Sequence, residues 1–550
     1  MSQVETTQVD IPYEDIYLQK DGIYKKHKEG DYKIADYMAI KKIYLNIDTS
    51  DIVAEIAYYA LRRQMLITVP RTDYMNVLKL INYAGKGLDI MKDNVEDIVC
   101  HFRNQEEIAP IEHQHSKIGF GYYEDKEVYK LYHSIGIAST YCGQYDLKPK
   151  GSKEVYYQML DDHVIGHAPL ELILITALSA TIIGYIGEDL SLDTLIMHLK
   201  GNSTTGKTTA IRLGISAFGY ADTKHNGLVG TYNATANALI KQLTGIRGVP
   251  FAFDELSMTQ TKDLTNLIYT IANGTDKARL SPNAELKERG NWHTAVFSTG
   301  EKSLLASAKQ NAGVQNRVIE LEDIIYTKDA DNAMNISNVI QNHYGHLAYD
   351  FVEYILGKGK DYFIKQYQKS YQGMLKVLKQ SRIVDSFTER RAKNFAVIFL
   401  TGKQLEKVIG KKFDWEGIIN ILIETEKKAL LKRNFDKVAI DYIKQFVNIH
   451  ISKFIIFGKQ EKNSGSYWGK IRKIPGGIEL EMLPIKFKEM LKQGGFEDES
   501  VVLKELKRNG LLNCEKDRYT RKRRTPTGIS TEVYVINILT STKENVETGK

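Results

Sequence analysis

The run Gly201-Asn202-Ser203-Thr204-Thr205-Gly206-Lys207-Thr208 fits the spacing G-x-x-x-x-G-K-[ST] at every fixed position. The chemistry this spacing permits is polyphosphate binding. Backbone amides of such a loop wrap phosphate oxygens, and the following helix N-terminus adds partial positive charge. Lys207 is placed to reach β- and γ-phosphates, and Thr208 to ligate Mg²⁺. Thr209 continues the hydroxyl run, so residues 201–209 form the candidate nucleotide site, with ATP and Mg²⁺ as the expected cofactors. The flanks agree. An apolar run, Leu195 to Leu199, stops at Lys200 and reads as a strand, while Ala210, Ile211, Arg212 and Leu213 open a helix.

A second chemistry-bearing stretch is Val249-Pro250-Phe251-Ala252-Phe253, an apolar strand closing on Asp254-Glu255. In an ATPase site the first carboxylate holds Mg²⁺ and the second takes a proton from the attacking water. A third strand, Trp292 to Phe297, ends in Ser298-Thr299-Gly300-Glu301, and either hydroxyl could sense that water. The usual sensor is Asn, so a hydroxyl here is a departure. Arg317, just before the strand-like run Val318 to Leu321, is placed for an arginine finger that neutralises charge on a neighbour's γ-phosphate. A surface salt bridge is the alternative. A finger acting in trans needs a homo-oligomer, and head-to-tail contacts that close make a ring.

Between the second and third strands, Pro282-Asn283 marks a turn. Lys277 and Arg279 alternate before it, and Lys287 and Arg289 after it, so each pair shares one strand face. Such a hairpin can contact DNA in a ring's central pore or a neighbouring subunit's nucleotide. It can also be a solvated surface.

The elements that position these residues follow from composition and pattern. At 550 residues the chain exceeds one core. Its 43% hydrophobic and 26% charged content is that of a globular protein. Cys100, Cys142 and Cys514 are scattered and odd in number, which suits a reducing cytoplasm rather than a disulfide framework. Cys100, His101, His113 and His115 lack zinc-ligand spacing. The most apolar segment, Leu170 to Ile186, contains Glu171 and reads as a buried helix, so no membrane partner is expected.

Residues 1–142 read as an N-terminal α+β domain: a hairpin through Asp48-Thr49-Ser50-Asp51, a strand at Leu66–Val69, helices over 74–84 and 94–104, and strands at 118–123 and 128–132. Residues 143–166 read as a linker, 167–330 as the α/β nucleotide core, 331–455 as a helical region and 541–550 as a tail. In 456–540, Pro484 opens one helix and Asp498 caps a second that Gly510 ends. A basic loop, Lys516 to Arg524, and a strand, Thr531 to Ile538, complete a winged helix. Residues 501–524 hold nine Lys/Arg against three Asp/Glu, so Arg521, Arg523 and Arg524 are candidate phosphate contacts. A protein-docking winged helix is the alternative.

Lys200 to Thr209, Phe253-Asp254-Glu255 and Phe297-Ser298-Thr299-Gly300-Glu301 together resemble a family of P-loop ATPases from phage and mobile elements, long catalogued as a domain of unknown function. The arrangement of N-terminal domain, ATPase and winged helix is similar to the MCM-like, self-loading replicative helicases of staphylococcal cassette elements, the Cch type. That resemblance implies an AAA+ fold, a hexameric ring, and ATP-driven translocation on single-stranded and forked DNA without a separate loader. It also puts Arg390 or Arg391 where a sensor-2 arginine falls. Two other readings stay open: a DNA-binding replication initiator switched by ATP, and a nucleotide-dependent signalling or defence scaffold. Because the candidate contacts are to phosphates, DNA affinity is expected to fall steeply with salt. A binding titration across salt concentrations checks this, and a flat response counts against the basic wing.

Overall fold

The computed structural model describes residues 12–280, 286, 288–308, 312–432, 435–458, 467–494, 496, 499–515 and 517–539. Lys287, Pro282-Asn283, Lys516, the Asp498 cap and the two tails lie outside the described residues.

Three apolar cores organise the chain. The first runs from Ile16 to Phe102, the second from Ile118 to Ile423, and the third from Ala439 to Ile538. The second surrounds a five-stranded sheet: β1 (Leu195–Lys200), β2 (Val229–Thr231), β3 (Phe251–Asp254), β4 (Ala295–Gly300) and β5 (Val318–Glu322). The spatial order is β2-β3-β4-β1-β5, and every pairing is parallel. A parallel sheet is covered on both faces, which is why these strands read as unbroken apolar runs rather than alternating ones.

One cover is the helix α1 (Ala168–Leu190), with Pro169 in its first turn, where a missing N–H costs nothing. It is long and apolar enough to cross a membrane, yet its most apolar window is wholly buried in the protein. Glu171 is buried within it. Burial pushes its carboxyl up, while the amides of Gly166 at 2.7 Å and Asp414 at 2.9 Å donate to it. At Gly184 the helix touches the approach to β3: a Cβ there would lie 2.5 Å from Gly248 Cα. Gly248 itself has φ +89°, so both positions need glycine. The helix α2 (Lys207–Ser216) follows the glycine loop, α3 (Ala236–Leu243) follows β2, and α4 (Thr265–Asn273) precedes the basic hairpin.

Several segments differ from the sequence expectation. Residues 74–84 form short turns of helix, Arg71–Tyr74, Val77–Leu80 and Ile81–Lys86, rather than one amphipathic helix. The strand Ile118–Tyr123 pairs with Ile246–Arg247, and Ile118, Phe120 and Tyr129 pack in the second core, not the first. Residues 143–166, expected as a linker, contain the helix Lys153–His163 with Tyr156, Met159 and Leu160 buried. The helix Phe435–Ile449 packs in the third core through Ala439, Ile443 and Phe446. The placement of Ile118–Tyr123 rests on a pairing between residues far apart in the chain, which local pattern does not report.

The N-terminal hairpin is clipped to the central body at its turn. Asp48 accepts from the amides of Ser116 at 2.8 Å and Lys117 at 2.7 Å, and from the Lys130 ammonium. Both side chains of the ion pair are buried. Burial raises the Asp48 carboxyl, but Lys130 and the two amides outweigh it, and the group ends below its usual range. In the helical region, Arg391 on Thr388–Ile409 reaches the Val318 carbonyl at 2.9 Å and the Gln315 carbonyl, and pairs with buried Glu426 at 3.1 Å.

At the C-terminus the helices Pro484–Gln493 and Glu499–Arg508 pack on a sheet, with Val502, Leu503 and Leu506 buried. The basic segment expected as a loop is partly a strand, Arg521–Arg524, antiparallel to Ser530–Leu539.

Gly184→Ala is expected to lower stability by about 1–3 kcal/mol, because the added methyl meets backbone that cannot yield. Chemical or thermal unfolding of the variant measures it.

Candidate nucleotide site

The carboxyl ends of β1, β3 and β4 converge, and the glycine loop caps them. Thr204 at φ 72° and Gly206 at φ 80° curl the loop inward, so successive amides face one concavity. A Cβ at Gly206 would come within 2.7 Å of Thr327 Oγ1, so glycine is required there. Lys207 opens α2 and is only 9% exposed. Its ammonium donates to the carbonyls of Gly201 at 2.8 Å and Asn202 at 2.6 Å, which holds it at the loop. Ser203 Oγ donates to Glu301 at 2.7 Å, and Thr205 Oγ1 to the Asn202 carbonyl at 3.1 Å. Tyr326 closes the other side, its amide donating to the Thr205 carbonyl at 2.9 Å. Thr208 and Thr209, in the first turn of α2, are half-buried.

Asp254 ends β3. Thr299 Oγ1 donates to Asp254 Oδ1 and accepts from the Glu255 amide at 3.0 Å. Asp254 Oδ1 also accepts that amide at 3.1 Å. Three residues from two strands are thereby locked together. Glu255 sits in the left-handed region at φ 61°, a conformation that costs a non-glycine residue roughly 1–2 kcal/mol. Its carboxylate accepts from the Ser257 hydroxyl and amide.

Ser298 faces the other way. Successive strand residues point to opposite faces, and its hydroxyl lies in the core with Tyr232 at 2.7 Å and His198 Nδ1 at 2.8 Å. His198 Nε2 lies 2.9 Å from the Lys302 carbonyl. Burial lowers the pKa of His198, which favours the neutral ring. A carbonyl only accepts, so Nε2 carries the proton and Nδ1 accepts from Ser298. The chain Tyr232, Ser298, His198, Lys302 then has one direction of donation and stitches β1 to β4. Of the two candidate sensors, Thr299 alone touches Asp254.

Arg317 precedes β5, whose Glu322 lies beside Lys200 at the carboxyl end of β1. At about 3.3 Å per residue the strand carries Arg317 roughly 16 Å from its own glycine loop, to the amino ends of the sheet. The guanidinium stacks 4.4 Å over the Tyr269 ring and donates to the Gly313 carbonyl at 2.7 Å. Arg390 pairs with Asp193. Arg391 is consumed by Glu426 and two carbonyls. Lys277 and Arg279 are exposed on an irregular segment between the isolated bridges Thr275–Asn291 and Leu280–Leu286, not on the strand expected, and Arg279 lies 3.3 Å from Asp276. In the C-terminal strand Arg523 turns inward to Glu481 at 2.8 Å, and Arg521 shares its face. Arg524 is exposed, and so is Lys522, which the strand's period of two puts on the same face.

The donor set fits a nucleotide with Mg²⁺. Mg²⁺ keeps several waters and takes only one or two protein ligands beside phosphates, a number that Thr208 and Asp254 would meet. Among the described residues no group of three or more His, Cys, Asp or Glu could hold a metal by itself.

Fold and site define a mixed α/β protein with a helical region and a C-terminal helix-turn-helix domain. Residues 18–291 match the family model described as domain of unknown function DUF927, and residues 434–541 match the Cch helix turn helix domain. The fold is similar to that of a solved structure titled SCCmec type IV Cch, active helicase, with a TM-score of 0.78. Identity is 24%, and the match covers 96% of this chain and 97% of that one. No curated protein matches the chain. The resemblance to the Cch type is thus carried by both family matches and by the fold.

Thr299→Ala is expected to lower nucleotide turnover by roughly ten- to a thousandfold, as loss of one preorganised site donor does, with little change in folding. Ser298→Ala is expected to lower the melting temperature while largely sparing turnover. Steady-state hydrolysis and melting curves of the pair check the assignment.

Proposed function

We propose that the chain is an ATP-driven DNA helicase or translocase with an AAA+ P-loop core. In this reading it works as a self-loading homo-oligomeric ring, a hexamer, in the replication of a mobile genetic element. The observation that carries this reading is the convergence of the glycine loop, Asp254, Glu255 and Thr299 at the carboxyl ends of a sheet ordered β2-β3-β4-β1-β5. Arg317 supports the ring. It sits at the amino ends of that sheet, out of reach of its own loop, which suits a residue that completes a neighbour's site. The helix-turn-helix match and the solved helicase of like fold support DNA as the load.

ATP with Mg²⁺ supplies the driving free energy of phosphoanhydride hydrolysis. Lys207 transfers its ammonium from the Gly201 and Asn202 carbonyls to phosphate oxygens. Thr208 and Asp254 would hold the metal, and Thr299 fixes the Asp254 carboxylate. Glu255 takes the proton of the attacking water once its carboxylate leaves Ser257. Lys277, Arg279 and Lys287 on the hairpin, and Arg521, Arg523 and Arg524 on the wing, are the proposed DNA contacts. On the wing Arg524 is exposed, and Arg523 must first exchange Glu481 for phosphate.

Strand displacement on forked duplexes with 3′ and 5′ tails tests the proposal. ATP-dependent unwinding from one tail polarity is expected, and Lys207→Ala should abolish it. DNA binding and ATP hydrolysis without displacement would instead favour the ATP-switched initiator.

A further inference from the structure

At the root of the basic hairpin three separate segments enclose a cavity of about 350 Å³. Lys117 comes from the loop before strand Ile118–Tyr123, Lys241 from α3, and Lys277, Arg279 and Arg289 from the hairpin. Asp276 and Glu288 are the acids at its wall, so the lining carries five cationic groups against two anionic ones. Asp276 is engaged by Arg279 and by the Lys277 amide at 2.7 Å. Among the described residues, Lys117, Lys241, Lys277 and Arg289 have no carboxylate within salt-bridge distance.

The back of the cavity is built, not merely a gap between side chains. Backbone hydrogen bonds lace its walls: Ile118 N to Gly245 O at 3.2 Å, Gly245 N to Asn291 O at 2.9 Å, and Asp276 N to Gly290 O at 2.8 Å. Gly290 packs so tightly that a Cβ would lie 2.6 Å from Thr244 Oγ1. Asp48 fixes the third wall by accepting the Ser116 and Lys117 amides. Like charges gathered on a fixed frame repel, and an anion bound among them relieves that repulsion. Lys and Arg line it, and both donate charge-assisted hydrogen bonds to phosphate oxygens.

We propose that this cavity is a phosphate-binding site in which Lys117 and Lys241 act with the hairpin cations. It rests on the DNA-motor reading above and extends the hairpin contact to two lysines outside the hairpin. The phosphate belongs either to a DNA strand passing the hairpin or to a nucleotide bound by an adjoining subunit, and the chemistry is the same.

The test uses the full chain carrying Lys117→Ala/Lys241→Ala, with Lys117→Arg/Lys241→Arg as the charge-preserving partner. Both lysines are exposed, and melting curves of the variants confirm that folding is intact. Binding of a labelled single-stranded oligonucleotide is titrated across salt. Loss of two phosphate contacts should make the slope of log K against log salt shallower by about 1.4, at roughly 0.7 per contact on single strands. Affinity at low salt should fall by roughly tenfold or more, and the arginine variant should restore it. A second arm titrates a fluorescent ATP analogue. Weakened nucleotide binding with unchanged DNA binding would assign the phosphate to the nucleotide. If neither affinity moves, the site is overturned. Strand displacement separates the two proposals. A wild type that does not unwind, with a double variant that binds DNA more weakly, sinks the motor and keeps the site. Normal unwinding and unchanged affinities in the double variant do the reverse.

Discussion

The central constraint is that five parallel strands must be covered on both faces while their carboxyl ends stay open. Parallel sheets cannot leave a face to water, so the chain buries α1 from Leu170 to Gly187 and closes Gly184 onto Gly248. That contact holds the approach to β3, and hence Asp254 at its far end. The site chemistry is therefore a by-product of register. Asp254, Thr299 and the glycine loop meet because β3, β4 and β1 run the same way and end at the same level.

The core's polar bonds serve the same end. Tyr232, Ser298 and His198 form a chain beneath the sheet, and Thr299 and Asp254 form a lock above it. Adjacent residues of one strand divide between the two tasks. Arg391 links a third layer: it gathers carbonyls on both sides of Arg317 and is neutralised by Glu426. The helical region is thus fastened to the turn that presents Arg317, and removing Arg391 would take its 3.1 Å ion pair from buried Glu426.

What could be read in the sequence was what is local. The glycine loop needs its residues consecutive, and Asp254-Glu255 needs only a strand before it, so both were legible. Ser298 and Thr299 were narrowed to a pair, but which one faces the site depends on the strand's register. Arg523 looked like a free wing cation because Glu481, its partner, lies far away in sequence. Residues 118–130 looked N-terminal because their pairing partner, Ile246–Arg247, comes more than a hundred residues later. The helix Lys153–His163 was missed because Lys148-Pro149-Lys150-Gly151-Ser152 signals a loop and hides the N-cap that Ser152 supplies to Val155.

Asp48 has a mechanical consequence. Its carboxylate ties the tip of the N-terminal hairpin to the backbone of Ser116 and Lys117 and, in a buried ion pair, to the Lys130 ammonium. Parting that joint would strand two dehydrated charges, so the joint resists opening far more than a flexible tether would. The hairpin turn therefore behaves as a strut. A pull or twist on the N-terminal domain is delivered through Asp48 to Lys117, at the wall of the basic cavity, rather than dissipated in slack.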